Sequence, residues 1–138
     1  MNTIKLDLDV IQGNDWVEYE GITFSNCAFI KLIIDDIDLV KLTDYEKGVV
    51  VWDEIKKTRF ESGDFLILTC LCGIADDGGF QLITVSRNEN TVNWTFNDGS
   101  KSKWEFDKNE YDAELIRLEN EISKLSVLLE PKDVLFPE

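Results

Sequence analysis

Residues Thr91–Leu129 read TVNWTFNDGSKSKWEFDKNEYDAELIRLENEISKLSVLL, and two periodicities meet inside that stretch. Val92, Trp94 and Phe96 alternate with Thr91, Asn93 and Thr95, and Trp104 and Phe106 flank Glu105. Large apolar side chains at a period of two mark half-buried strands. Asn97-Asp98-Gly99-Ser100 between the runs supplies turn chemistry, so the pair predicts consecutive antiparallel strands of a meander. From Tyr111 the period changes. Tyr111, Leu115, Leu118, Ile122, Leu125 and Leu129 recur at spacings of four and three, which predicts a helix over 108–129 with one apolar stripe. Asp107 is the expected N-cap, with Glu110 placed to complete a capping box. Pro131 is the expected stop, because the residue before a proline avoids the α region. Glu114, Arg117, Glu121 and Lys124 lie on the opposite face at pairing distance.

Working outward, the rest of the chain reads as strands. Ile4, Leu6, Leu8 and Val10 alternate with Lys5, Asp7 and Asp9. Trp16–Tyr19 is a short strand candidate. Ala28–Ile34 and Ile37–Leu42 are apolar runs around Asp35-Asp36, which predicts a tight hairpin. Val49–Trp52 and Gln81–Val85 are further candidates, and residues 53–64 fit a short helix or a loop. Phe65–Leu71 is almost continuously apolar and predicts a central strand covered on both faces. The expected fold is α+β in one domain over 1–138: a curved antiparallel sheet with a long, amphipathic C-terminal helix packed on it.

Composition excludes several functions. The 138 residues hold no histidine, 14 Lys+Arg and 28 Asp+Glu, a formal net charge of −14. Without histidine there is no Ser-His-Asp or Cys-His catalysis and no His-based zinc site. The negative charge opposes binding to a phosphate backbone or an anionic bilayer surface. It is shared evenly by the two halves of the chain, so it coats the folded surface and is not an acidic tail. No apolar run is long enough to span a bilayer and the first residues do not resemble a secretory signal. The odd cysteine count favours a reducing cytoplasm.

Four sets of residues invite a functional reading. Cys70-Leu71-Cys72-Gly73 puts two thiols on one face of a strand, but no third soft ligand or basic neighbour adjoins them, and the plain reading is thiols at a strand end. Asp35, Asp36 and Asp38, with Asp76-Asp77, are carboxylate clusters able to hold a hard cation, to form an acidic rim for a partner, or simply to sit in solvated turns. Gly78-Gly79 opens no phosphate-binding pattern. Trp94 and Trp104 belong to the core alternation; Trp52, at a strand end beside Asp53-Glu54, reads first as a core residue and second, if exposed, as an interface anchor.

One segment carries a resemblance. Leu68-Thr69-Cys70-Leu71-Cys72-Gly73 ends a strand, Val92-Asn93-Trp94 follows, and Phe106-Asp107-Lys108-Asn109-Glu110-Tyr111 leads into the helix. This order over residues 65–120 resembles small acidic immunity proteins of bacterial polymorphic toxin and contact-dependent growth inhibition systems. The sequence departs from the pattern at Asp77 and Gly78, where a further cysteine is usual. The resemblance implies a cytoplasmic, non-enzymatic inhibitor, without cofactor, of a cognate toxin domain that is often a cationic nuclease. Asp35, Asp36, Asp38, Trp52, Asp53, Asp76 and Asp77 are the expected partner-binding residues, in a monomer or weak dimer that binds neither nucleic acid nor membrane. The alternative is a carboxylate-based metal-binding protein or metalloenzyme.

Overall fold

A computed structural model describes residues 1–19, 22–39, 48–70, 80–97, 102–131, 134 and 136. The meander is present as predicted. β9 (Thr91–Phe96) pairs antiparallel with β10 (Lys103–Asp107), setting Trp94 opposite Trp104 and Val92 opposite Phe106. Val92, Trp94 and Phe96 are fully buried while the residues between them stay half-exposed. Trp94 meets Phe106 edge-on at 5.4 Å, and Phe96 meets Trp104 at 5.7 Å, the geometry that ring quadrupoles favour. β8 (Phe80–Arg87) and β7 (Gly63–Cys70) continue the same sheet, and β6 (Gly48–Val50) closes it in the order β10-β9-β8-β7-β6. Phe65 to Thr69 are all buried, as a strand covered on both faces requires.

The N-terminal strands form a second sheet, so the single sheet expected from the sequence is divided. β1 (Ile4–Ile11) pairs antiparallel with β4 (Cys27–Ile34), and β5 (Ile37–Asp38) turns back on β4. A short ribbon of β2 (Val17–Tyr19) and β3 (Ile22–Phe24) brings Val17 and Phe24 against the start of this sheet. There Ile11, Phe24, Cys27, Phe29 and Val49 make a small second core. The β1 alternation therefore breaks at its end: Leu6 faces the main core, but Val10 is exposed and Ile11 is buried in the second cluster.

Trp52 begins a short helix rather than ending a strand. α1 (Trp52–Ile55) runs into a 3₁₀ turn over Lys56–Arg59. Helix α2 (Lys108–Ser123) starts where the sequence places it: the Asp107 carboxylate accepts from the Glu110 N–H at 3.0 Å. It packs Tyr111, Leu115 and Leu118 into the main core.

Its C-terminus differs from expectation. The helix ends at Ser123, six residues short of Leu129, and Leu128-Leu129 form β11, parallel to Cys27-Ala28 of β4. Glu130 N–H extends this pairing to Ala28 O at 2.8 Å. Leaving the helix satisfies backbone groups on the open side of β4 while Leu129 still reaches the core, and that tertiary gain overrides the local helical pattern. No helix among the described residues is long and apolar enough to cross a membrane.

Candidate partner-binding surface

Asp35 and Asp36 have φ values of 51° and 67°, and Ile34 pairs with Ile37 around them. Two left-handed residues between paired strands make the primed hairpin turn that suits strand twist, and Asp tolerates it better than most residues. Asp35 also has a local task. Its carboxylate accepts from Thr3 N–H at 2.8 Å and Asn2 Nδ2 at 2.5 Å, while its own N–H donates to Thr3 O at 3.0 Å. The bond from the Thr3 backbone, followed by that from Asn2, holds its carboxyl below the ordinary carboxylate range. Asp35 thus fastens the N-terminus to the hairpin. Asp36 is exposed, and Asp38 is half-buried opposite Ile33.

Trp52 and Asp53 belong to α1, beside the other sheet. Trp52 is half-buried against the main core, so its ring is largely spent on packing. Asp53 is exposed and pairs with Lys56 at 3.0 Å. The exposed tryptophan is instead Trp16, 62% accessible at the entry to β2. Its place after Gly13-Asn14-Asp15, outside any long apolar alternation, was the available signal. Asp76, Asp77, Cys72 and Gly73 lie outside the described residues, and Cys70 is described only as the end of β7. Among the described residues no group of three or more cysteine and carboxylate side chains is placed to hold a metal ion.

The polar groups that sequence reasoning missed are internal. Glu54 is buried; it accepts from Leu66 N–H at 3.0 Å and from Lys57 Nζ at 2.8 Å. The Glu54 carboxylate raises the Lys57 pKa by hydrogen bonding and by charge. Thr58 donates its hydroxyl to Ile55 O at 2.6 Å, so it must accept from the Tyr111 hydroxyl at 2.5 Å. Trp94 Nε1 donates to that same hydroxyl at 3.2 Å. The bond from Leu66 to Glu54 and those of the Tyr111 hydroxyl with Thr58 and Trp94 join positions remote in sequence and leave no sign in its spacing, whereas Glu54–Lys57 and Ile55–Thr58 lie three residues apart.

Helix α2 also meets the outer edge of β1. Glu114 Oε2 accepts from Leu6 N–H at 2.6 Å, and Arg117 Nη2 donates to Leu6 O. Arg117 and Glu114 are themselves paired at 2.8 Å, as their spacing predicted. Past Leu6 the helix and strand diverge, and a groove of about 520 Å³ opens between Leu8 and Val10 on one side and Leu118 and Leu125 on the other. A second groove, of about 610 Å³, lies between Gly13, Asn26 and the residues Ser126–Leu128. No protein-family model, curated protein or solved structure matches the chain.

Proposed function

We propose that this protein binds and neutralises a cationic protein domain, as an immunity protein does for its cognate bacterial toxin, in the cytoplasm and without catalysis of its own. The observation that carries the reading is how the fold distributes charge. Arg87, Arg117 and Lys57 are matched by Asp112, Glu114 and Glu54 within the chain. Asp9, Asp36, Glu61, Glu89, Glu105 and Glu121, by contrast, stand exposed on separate elements. A surface with this excess repels nucleic acid and accelerates encounter with a basic protein. A nuclease domain must collect Lys and Arg where its substrate lies, so an acidic protein seated there excludes the substrate. Asp36, Asp38 and Asp53 are the exposed or half-exposed acids through which this contact is expected, with Asp35 acting mainly to shape their turn.

The test is capture by the tagged full chain from its native host at low and at raised salt, identification of the retained protein, and co-expression of the two. The expected result is a basic domain that slows growth when expressed alone and is harmless with this chain present. Capture that is independent of salt, or a partner whose toxicity the chain does not relieve, overturns the reading.

A further inference from the structure

Backbone groups along β1 alternate in direction. Residues with odd numbers face β4 and its turn, as where Thr3 O accepts from Asp35 N–H. Residues with even numbers face outward: Asn2 N–H donates to Glu105 O at 2.7 Å, and both polar groups of Leu6 are taken by Glu114 and Arg117. By the same alternation the N–H and C=O of Leu8 and Val10 point outward, and among the described residues nothing accepts from or donates to them. They line the groove beside α2. An edge with unpaired backbone groups is a template for another strand.

Charge decides which strand. Around this edge stand Asp7, Asp9 and Glu121 against Lys5 and Lys124; Arg117 is already matched by Glu114 and Lys5 reaches Asp7 at 3.8 Å, while Asp9 and Glu121 are exposed. A second copy is disfavoured. Pairing Leu8 with Val10 of a copy sets Asp9 against Asp9, and pairing Leu8 with Leu8 sets Asp7 against Asp9 twice; like charges directly opposite destabilise a sheet. Pairing Val10 with Val10 sets Asp9 against Ile11 and avoids those clashes, but like the others it brings together two chains that each carry a net charge of −14. A basic strand meets the same acids favourably.

We infer that the open edge of β1 at Leu8–Val10 receives an extended segment of a protein partner as an added antiparallel strand. The inference rests on the cationic partner proposed above. Pleating fixes the chemistry of the segment. Its residues opposite Asp7 and Asp9 are basic, and those opposite Leu8 and Val10 are apolar and face the half-buried Leu125 across the groove. The apolar residues also exchange backbone bonds with Leu8 and Val10, because those two positions point outward.

The probe is a blocked heptapeptide alternating lysine and valine, added to the full chain, with a control peptide N-methylated at its valines. The expected result is that the Leu8 and Val10 amide resonances shift and their hydrogen exchange slows. The N-methylated peptide binds roughly tenfold more weakly, the scale of losing one to two hydrogen bonds. Val10→Pro removes an outward N–H and leaves the β4 ladder intact, which an edge strand tolerates, and it weakens binding to a similar degree. Equal binding of the two peptides, perturbation centred on acids elsewhere, or no binding overturns the proposal. So does concentration-dependent perturbation of Leu8 and Val10 without peptide, which assigns the edge to a second copy. The capture and growth experiment does not use the peptide. A Val10→Pro protein that still neutralises its partner refutes the edge alone, whereas a wild-type chain that neutralises nothing refutes the function.

Discussion

The guanidinium of Arg87 on β8 meets the carboxylate of Asp112 on α2 through two parallel bonds of 2.9 and 2.8 Å. The same Nη1 donates to Thr58 O at 2.8 Å, so one side chain joins the five-stranded sheet, the C-terminal helix and the 3₁₀ turn. The Arg87 side chain is only 12% accessible and that of Asp112 24%. Asp112→Ala leaves a largely buried charge without its counterion and is expected to cost about 2–3 kcal/mol in chemical denaturation. Arg87→Met combined with Asp112→Leu recovers most of that loss, because removing both charges also removes their desolvation cost. A loss below about 0.5 kcal/mol for Asp112→Ala would place the pair with solvent-screened surface bridges.

Tyr111 is fully buried, with its hydroxyl bonded to Thr58 and Trp94. Tyr111→Phe keeps the ring and strands two partners. The expected cost is about 1–2 kcal/mol, measured as a lower denaturation midpoint. Burial, opposed by those two hydrogen bonds, pushes the Tyr111 pKa well above its ordinary 10.0. Its protonated form therefore contributes stability that is fully present below pH 10.0 and is lost as pH rises further, towards the folded pKa. An ultraviolet titration should show Tyr111 ionising only as the fold is lost, and ionisation at pH 10 with the fold intact would contradict its burial.

Glu114 gives the opposite pH response. Burial raises its pKa, but the Arg117 guanidinium and the Leu6 N–H together outweigh that effect and hold the carboxyl below its ordinary 4.5. Its stabilisation is present above pH 4.5 and is lost as pH falls through the folded value. Thermal midpoints between pH 6 and pH 3 should fall more steeply for the wild type than for Glu114→Gln. Parallel curves would show that the contact with Leu6 does not depend on the charge.

Asp36 sits at φ 67° with its side chain exposed. Glycine adopts that conformation without a Cβ clash, so Asp36→Gly is expected to raise stability by up to about 1 kcal/mol. Asp36→Val should lower it by at least as much. A thermal midpoint that is the same in both variants would argue against the turn geometry.

The strands of the meander and the start of the helix were legible because each depends on neighbours close in sequence. Val92, Trp94 and Phe96 declare their buried face by alternation, and Asp107 caps a backbone N–H three residues away. The hairpin at Asp35-Asp36 was legible for the same reason, although the bonds from Asp35 to Asn2 and Thr3 were not. The end of the helix was misread because the deciding partner, Cys27-Ala28, lies about a hundred residues away and offers backbone groups, which have no sequence signature. Trp52 illustrates the limit for the candidate surface: an aromatic at a strand end beside two acids fits either the core or an interface, and only packing shows that its ring is half-buried against the main core.

What the sequence determined by itself is therefore local and additive: the periods of the strands and helix, the turn residues, and a charge excess that opposes nucleic acid and membrane surfaces. What only the tertiary structure decided is which backbone and charged groups find partners. Arg87, Glu54 and Glu114 are spent inside the molecule, while among the described residues nothing pairs with the outward backbone groups of Leu8 and Val10. The physical reason is that a hydrogen bond or ion pair forms between groups brought within about 3 Å, and chain topology, which no local pattern encodes, chooses those groups.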